Sequence, residues 1–140
     1  MSDKAYGWEL VMDLKDANPE RFNRKDLKKY LIALCDDVID MKRERLCWWD
    51  DHKVPEEERQ TEAHTKGTSL VQFILTSTIV IHTLDDLKQV FVNIFSCKEF
   101  DPEKALRFTM FWFQAQAADA TLLTRGGPGE KLEWTLRGPL

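Results

Sequence analysis

Ser69, Ser77, His82 and Cys97 place two hydroxyls, an imidazole and a thiol at separations of eight, five and fifteen residues. Such groups can serve as nucleophile, general base or general acid. The pattern does not suit an ordinary serine hydrolase, because no G-x-S-x-G elbow surrounds either serine and no aspartate is placed to orient the histidine. Phosphate chemistry has no motif, since neither G-x-x-x-x-G-K-[ST] nor G-x-G-x-x-G occurs. No metal is implied, as His82 and Cys97 lack further ligands at recognisable spacing. His52 and His64 stand isolated in a charged loop and are given no role.

The four residues are carried by apolar runs. Ser69–Thr76 and Ser77–His82 follow one another without Gly or Pro, and Gln89–Ser96 comes after a polar turn at Asp85–Asp86, so three strands are expected. Side chains alternate along a strand, which puts Ser77 and His82, five apart, on opposite faces unless a bulge intervenes. They need not share a pocket within one chain. Each residue also has a plain structural use: the hydroxyls as sheet residues closing local hydrogen bonds, Cys97 as an inert buried thiol and His82 as a structural strand-end residue.

The rest of the chain supplies a scaffold. Tyr6–Leu14 alternates with Trp8, Leu10, Met12 and Leu14 on one face, which predicts a half-buried strand. Asn23 is placed to cap a helix carrying Leu27, Leu31, Leu34, Val38 and Ile39 as far as about Met41. Glu44–Trp49 reads as a strand, and Asp50–Lys66, charged and interrupted by Pro55, as a long exposed loop. Asp101-Pro102-Glu103 is a helix start, followed by an aromatic stripe toward Gln116 that should cover a sheet. A short strand, Ala120–Thr124, completes the elements, with a peripheral tail beyond Arg125. Six strands and two helices predict an α+β fold, a two-layer sandwich in which a mostly antiparallel sheet is covered by two helices on one face.

Residues 1–140 are expected to form a single domain. A net charge of -4 without a basic stripe argues against nucleic acid as a partner. No apolar run approaches the roughly 20 residues of a membrane span, and the N-terminus lacks the apolar core of a signal peptide, so no membrane partner and a cytoplasmic location are expected. Cys35, Cys47 and Cys97 are odd in number and far apart, which predicts reduced thiols.

Ile81-His82-Thr83, Phe95-Ser96-Cys97 and Asp101-Pro102-Glu103-Lys104-Ala105 resemble the bacterial and archaeal S-adenosylmethionine decarboxylase family. In that family a first serine, a self-cleaving serine, a histidine and a cysteine occur in this order, and Ser69, Ser77, His82 and Cys97 reproduce the separations without a gap. The resemblance covers about residues 6–125. It implies a precursor that cuts itself between Thr76 and Ser77 into chains 1–76 and 77–140, Ser69 and His82 assisting, and leaves a covalent pyruvoyl group at residue 77. That ketone would form a Schiff base with the substrate amine, and Cys97 would act as proton donor after loss of CO2. The family's sites draw residues from two protomers, which implies a homo-oligomer, at least a dimer with shared active sites.

The implied substrate is S-adenosylmethionine, in polyamine biosynthesis. Three departures leave it open: Thr76 where Glu or Lys is common, Gly7-Trp8-Glu9 where Gly-x-His is common, and Ala63 where an adenine-stacking aromatic is usual. Losing such a platform forfeits roughly 1–3 kcal/mol of stacking unless Trp8 or another aromatic replaces it. Glu9, Asp13 or the acidic loop could instead receive the cationic side chain of ornithine or arginine. A non-processing regulatory paralogue is the third reading.

Overall fold

Alternation of apolar and polar residues generates the sheet that dominates this molecule, whose computed structural model describes residues 5–50 and 54–138. The strands are β1 (Gly7–Lys15), β2 (Arg43–Trp49), β3 (Ser69–Ile74), β4 (Ser77–Leu84), β5 (Gln89–Ser96), β6 (Ala117–Arg125) and β7 (Lys131–Arg137), and the helices are α1 (Arg24–Ala33) and α2 (Pro102–Phe113). The strands form one sheet in the order β2-β3-β4-β5-β1-β6-β7, and every neighbouring pair is antiparallel. The first strand of the chain is therefore interior to the sheet.

One face of the sheet is the core. Leu10, Met12 and Leu14 of β1, Ile79 and Ile81 of β4, and Val90, Val92 and Ile94 of β5 are buried there with Leu27, Leu31, Leu106, Met110 and Phe113 of the helices. The result is the expected α+β sandwich. Tyr30 is fully buried and its hydroxyl lies 2.7 Å from Thr109 Oγ1, which itself donates to the Ala105 carbonyl, so the two helices are tied by a satisfied polar pair. Both helices start at the expected caps: Asn23 accepts from Asp26 N–H, and Asp101 from Lys104 N–H, with Pro102 in the first turn.

Strand β4 runs on to Leu84 and β6 spans Ala117–Arg125 rather than Ala120–Thr124, and three further differences from the expected elements have a local cause. The tail is peripheral, as expected, but it is a strand: Leu132, Trp134 and Leu136 alternate along β7, which pairs with β6 at the edge of the sheet. The α-helical ladder of α1 stops at Ala33, beyond which residues 34–38 widen into a π turn closed by Ile39 N–H to Leu34 O. Strand β3 ends at Ile74 because residues 75 and 76 form the turn into β4.

In the loop after β2, residues 55–66 are exposed as expected, His64 among them, while Val54 is half-buried and His52 lies outside the described residues. Asp50 is buried and receives the Arg24 guanidinium through both carboxylate oxygens, Nε on Oδ2 and NH2 on Oδ1, the latter at 2.8 Å. Arg24 also sits over the Trp48 ring at 4.9 Å, so it clamps the start of α1 onto the end of β2. Among the described residues no helix is long and apolar enough to cross a membrane.

Candidate active site

The β3–β4 connection is a two-residue turn, Leu75–Thr76, between the paired residues Ile74 and Ser77. Thr76 adopts φ +60°, left-handed backbone that a β-branched residue enters at a cost on the order of 1–3 kcal/mol. Strain thus sits on the residue whose carbonyl precedes Ser77. The Thr76 hydroxyl donates to the Leu75 carbonyl at 2.7 Å and lies 2.9 Å from Cys97 Sγ. Ser77 is 7% exposed; its Oγ accepts the Cys97 N–H at 3.1 Å and lies 3.9 Å from Cys97 Sγ.

Cys97 is aimed at this turn by the residue before it. The buried Ser96 hydroxyl accepts from Lys98 N–H at 2.9 Å and donates to Lys98 O at 2.7 Å, closing a tight turn where β5 ends. The thiol is half-buried rather than sequestered. Hydrogen bonds from Thr76, then Ser77, hold its pKa below the ordinary thiol value, against a smaller opposing effect of burial. The fully buried thiol of the plain structural reading is not what is observed, since Cys97 is half-buried.

Ser69 and His82 meet elsewhere. They are cross-strand partners, and Ser69 Oγ lies 2.8 Å from His82 Nδ1. The approach of the chain into β3 depends on Gly67, where a Cβ would fall 1.6 Å from the Thr83 carbonyl oxygen, and on Thr68, whose backbone N–H and O both bond Thr83. Strand alternation puts His82 on the face not covered by helices, whereas Ser77 points into the covered side. Five residues at about 3.3 Å each separate their Cα atoms by about 16 Å. The chain therefore holds these residues in two separate clusters, Thr76–Ser77–Cys97 at one end of β4 and Ser69–His82 at the other.

A row of cross-strand partners on the uncovered face runs Trp49, Ser69, His82, Phe91, Asp13, Asp119. Trp49, 57% exposed, stands beside Ser69 and was not singled out from the sequence. The same end of β3 borders a cleft of about 320 Å³ whose other wall is the exposed loop, through Val54, Arg59, Thr65 and Lys66. Asp13 has its pKa raised by burial and by the Asp119 carboxylate, with Lys15 opposing.

Glu9 and Trp8 are placed differently from Asp13. The Glu9 carboxylate already accepts from Arg125 at 2.6 Å and from Asn93 Nδ2 at 2.8 Å. Trp8 is on the helix-covered face, packed against the core, and does not share a face with Ser69 and His82. Ala63 is exposed in the loop. Among the described residues no three His, Cys, Asp or Glu side chains converge as a metal site requires.

The sequence pattern of the S-adenosylmethionine decarboxylase family matches residues 8–126, a span that includes both clusters and stops short of β7. The crystal structure of the adenosylmethionine decarboxylase from Aquifex aeolicus VF5 is similar to this chain with a TM-score of 0.67 at 16% sequence identity, over 88% of this chain and 92% of that one. At that identity the likeness is one of fold. No curated protein sequence matches.

Proposed function

Because the chain belongs to the S-adenosylmethionine decarboxylase family, we propose that it is a decarboxylase whose pyruvoyl group is made by self-cleavage between Thr76 and Ser77. The observation that carries this reading is the positive φ of Thr76 directly before a buried serine hydroxyl, with Cys97 against both side chains. These residues suit the group: a reactive ketone at position 77 would lie at a turn, beside a thiol and shielded on the core side.

In the first step Ser77 Oγ attacks the Thr76 carbonyl carbon. The C–O bond forms, the C–N bond breaks, and the hydroxyl proton ends on the Ser77 nitrogen. Release of the φ strain at Thr76 favours that ester. Loss of the Ser77 Cα proton then expels Thr76 as a carboxylate; tautomerisation, addition of water and departure of ammonia leave the ketone. Ser69 and His82 assist this maturation, the imidazole as the group able to exchange protons near neutral pH. The pyruvoyl ketone supplies the electron sink that decarboxylation of an α-amino acid needs. Cys97 Sγ holds the proton delivered to the substrate carbon once CO2 has left.

Separation of Ser77 from His82 supports a site completed by a second copy. The uncovered sheet face carries Val71, Phe73, Val80, Phe91 and Phe95, and Phe73 is 43% exposed. Two such faces stacked about a two-fold axis would bring the Cys97 end of one sheet to the His82 end of the other and cover this apolar surface.

S-adenosylmethionine is the proposed substrate, giving decarboxylated S-adenosylmethionine for polyamine biosynthesis, and Trp49 beside Ser69 supports it as a stacking surface at a place other than Ala63. A second reading, L-ornithine or L-arginine decarboxylation, is favoured by the Asp13 and Asp119 carboxylates in the row that contains His82. CO2 release from carboxyl-labelled S-adenosylmethionine, ornithine and arginine tests both, with Ser77→Ala as the dead control. Release from the first alone supports the proposal and release from a basic amino acid supports the second reading. Release from none by folded protein contradicts both and leaves the non-processing paralogue.

A further inference from the structure

We infer that Cys97 is a catalytic residue of self-cleavage, relaying the Ser77 hydroxyl proton, and that the Thr76 side chain holds its sulfur for that step. This rests on the self-processing proposed above and adds to it a proton path within one chain. Ser77 Oγ already accepts the Cys97 N–H at 3.1 Å, which leaves its own proton directed toward Cys97 Sγ at 3.9 Å, a sulfur-length hydrogen bond. The imidazole expected to help maturation is about 16 Å away along β4 in the same chain. Cys97 Sγ is the group already at hand to take that proton.

The proton balance closes on the sulfur. Cys97 as thiolate takes the hydroxyl proton while Ser77 Oγ bonds to the Thr76 carbonyl carbon. The protonated thiol then gives that proton to the Ser77 nitrogen as the C–N bond breaks. Nothing is oxidised or consumed. Thr76 has one hydroxyl proton and two neighbours, Leu75 O at 2.7 Å and Cys97 Sγ at 2.9 Å. Turning that proton to the sulfur stabilises the thiolate, in keeping with the lowered thiol pKa. Cleavage removes the contact, since Thr76 becomes a chain end and carries a new carboxylate. Cys97 then loses its partner and returns toward the protonated form, the state a proton donor needs in turnover. One thiol is thus a base before the cut and an acid after it, and the cut makes the change.

The test follows conversion of newly synthesised full chain to two fragments by intact mass, for wild type, Cys97→Ala, Cys97→Ser, Thr76→Val and Thr76→Ser. We expect Cys97→Ala to slow cleavage by about 100-fold, within the range of a lost acid–base group. Thr76→Val, which keeps the branched side chain but not the hydroxyl, should slow it about 10-fold, and Thr76→Ser should restore it. In uncleavable Ser77→Ala precursor, adding Thr76→Val should slow iodoacetamide labelling of Cys97 severalfold while leaving Cys47 unchanged, a readout that mere loss of packing would not give. Cleavage of Cys97→Ala or Thr76→Val at the wild-type rate overturns the inference and leaves self-processing intact. Failure of wild type to cleave overturns self-processing and the inference with it.

Discussion

Ser77 and His82 stand at opposite ends of β4 and on opposite faces of the sheet, the serine buried against the helix side and the imidazole exposed on the uncovered side. Each nevertheless has a chemical partner within its own chain: Cys97 for Ser77, Ser69 for His82. In the proposed pairing of two chains, these two clusters per chain would make two complete sites per pair.

Mixed pairs should therefore complement. His82→Ala and Cys97→Ala chains should each be nearly inactive alone. Co-expressed, half of the randomly formed dimers are mixed and each holds one intact site, so activity should return to about a quarter of wild type. Absence of any recovery in chromatographically verified mixed dimers would place all four residues of a site within one chain.

Arg24 should matter to stability rather than catalysis. Its guanidinium spans both oxygens of buried Asp50 and covers Trp48, so Arg24→Ala removes a paired charge from a buried carboxylate and a cover from the ring. We expect a lowered midpoint in urea unfolding. Arg24→Lys, which keeps charge but not the fork, should recover part of it. An unchanged midpoint for Arg24→Ala would show that the clamp contributes nothing.

Asp13 has a folded pKa raised above 3.8 by burial and by Asp119. In the window that opens near 3.8 and closes at the raised value, the folded state binds more protons than the unfolded one. Stability from this group is therefore complete below the window and is lost as pH rises through it. Asp13→Asn removes the effect. The melting temperature of the variant should gain on wild type as pH rises from 3.8, and a constant difference across the range would contradict the assignment.

Much of the frame was legible in the alternation of β1, β4 and β5, and the same alternation already separated Ser77 from His82. Strand β7 was equally legible, since Leu132, Trp134 and Leu136 alternate after Gly-Gly-Pro-Gly, although those turn residues also mark the end of β6. The end of α1 was hidden because Leu34, Val38 and Ile39 keep helical spacing through the π turn. No pattern of residue types could reveal the positive φ of Thr76 or the contact of its hydroxyl with Cys97, which arise from turn geometry and from the turn that Ser96 closes. Asp50 read as the first residue of a charged loop because its partner, Arg24, is remote in sequence.

The account turns on the bond between Thr76 and Ser77, and intact-mass spectrometry of the purified protein under reducing, denaturing conditions tests it most directly. Two chains, 1–76 and a 77–140 fragment with a blocked N-terminus, are the predicted result. A single unmodified 140-residue chain from repeated preparations of folded protein would contradict the account.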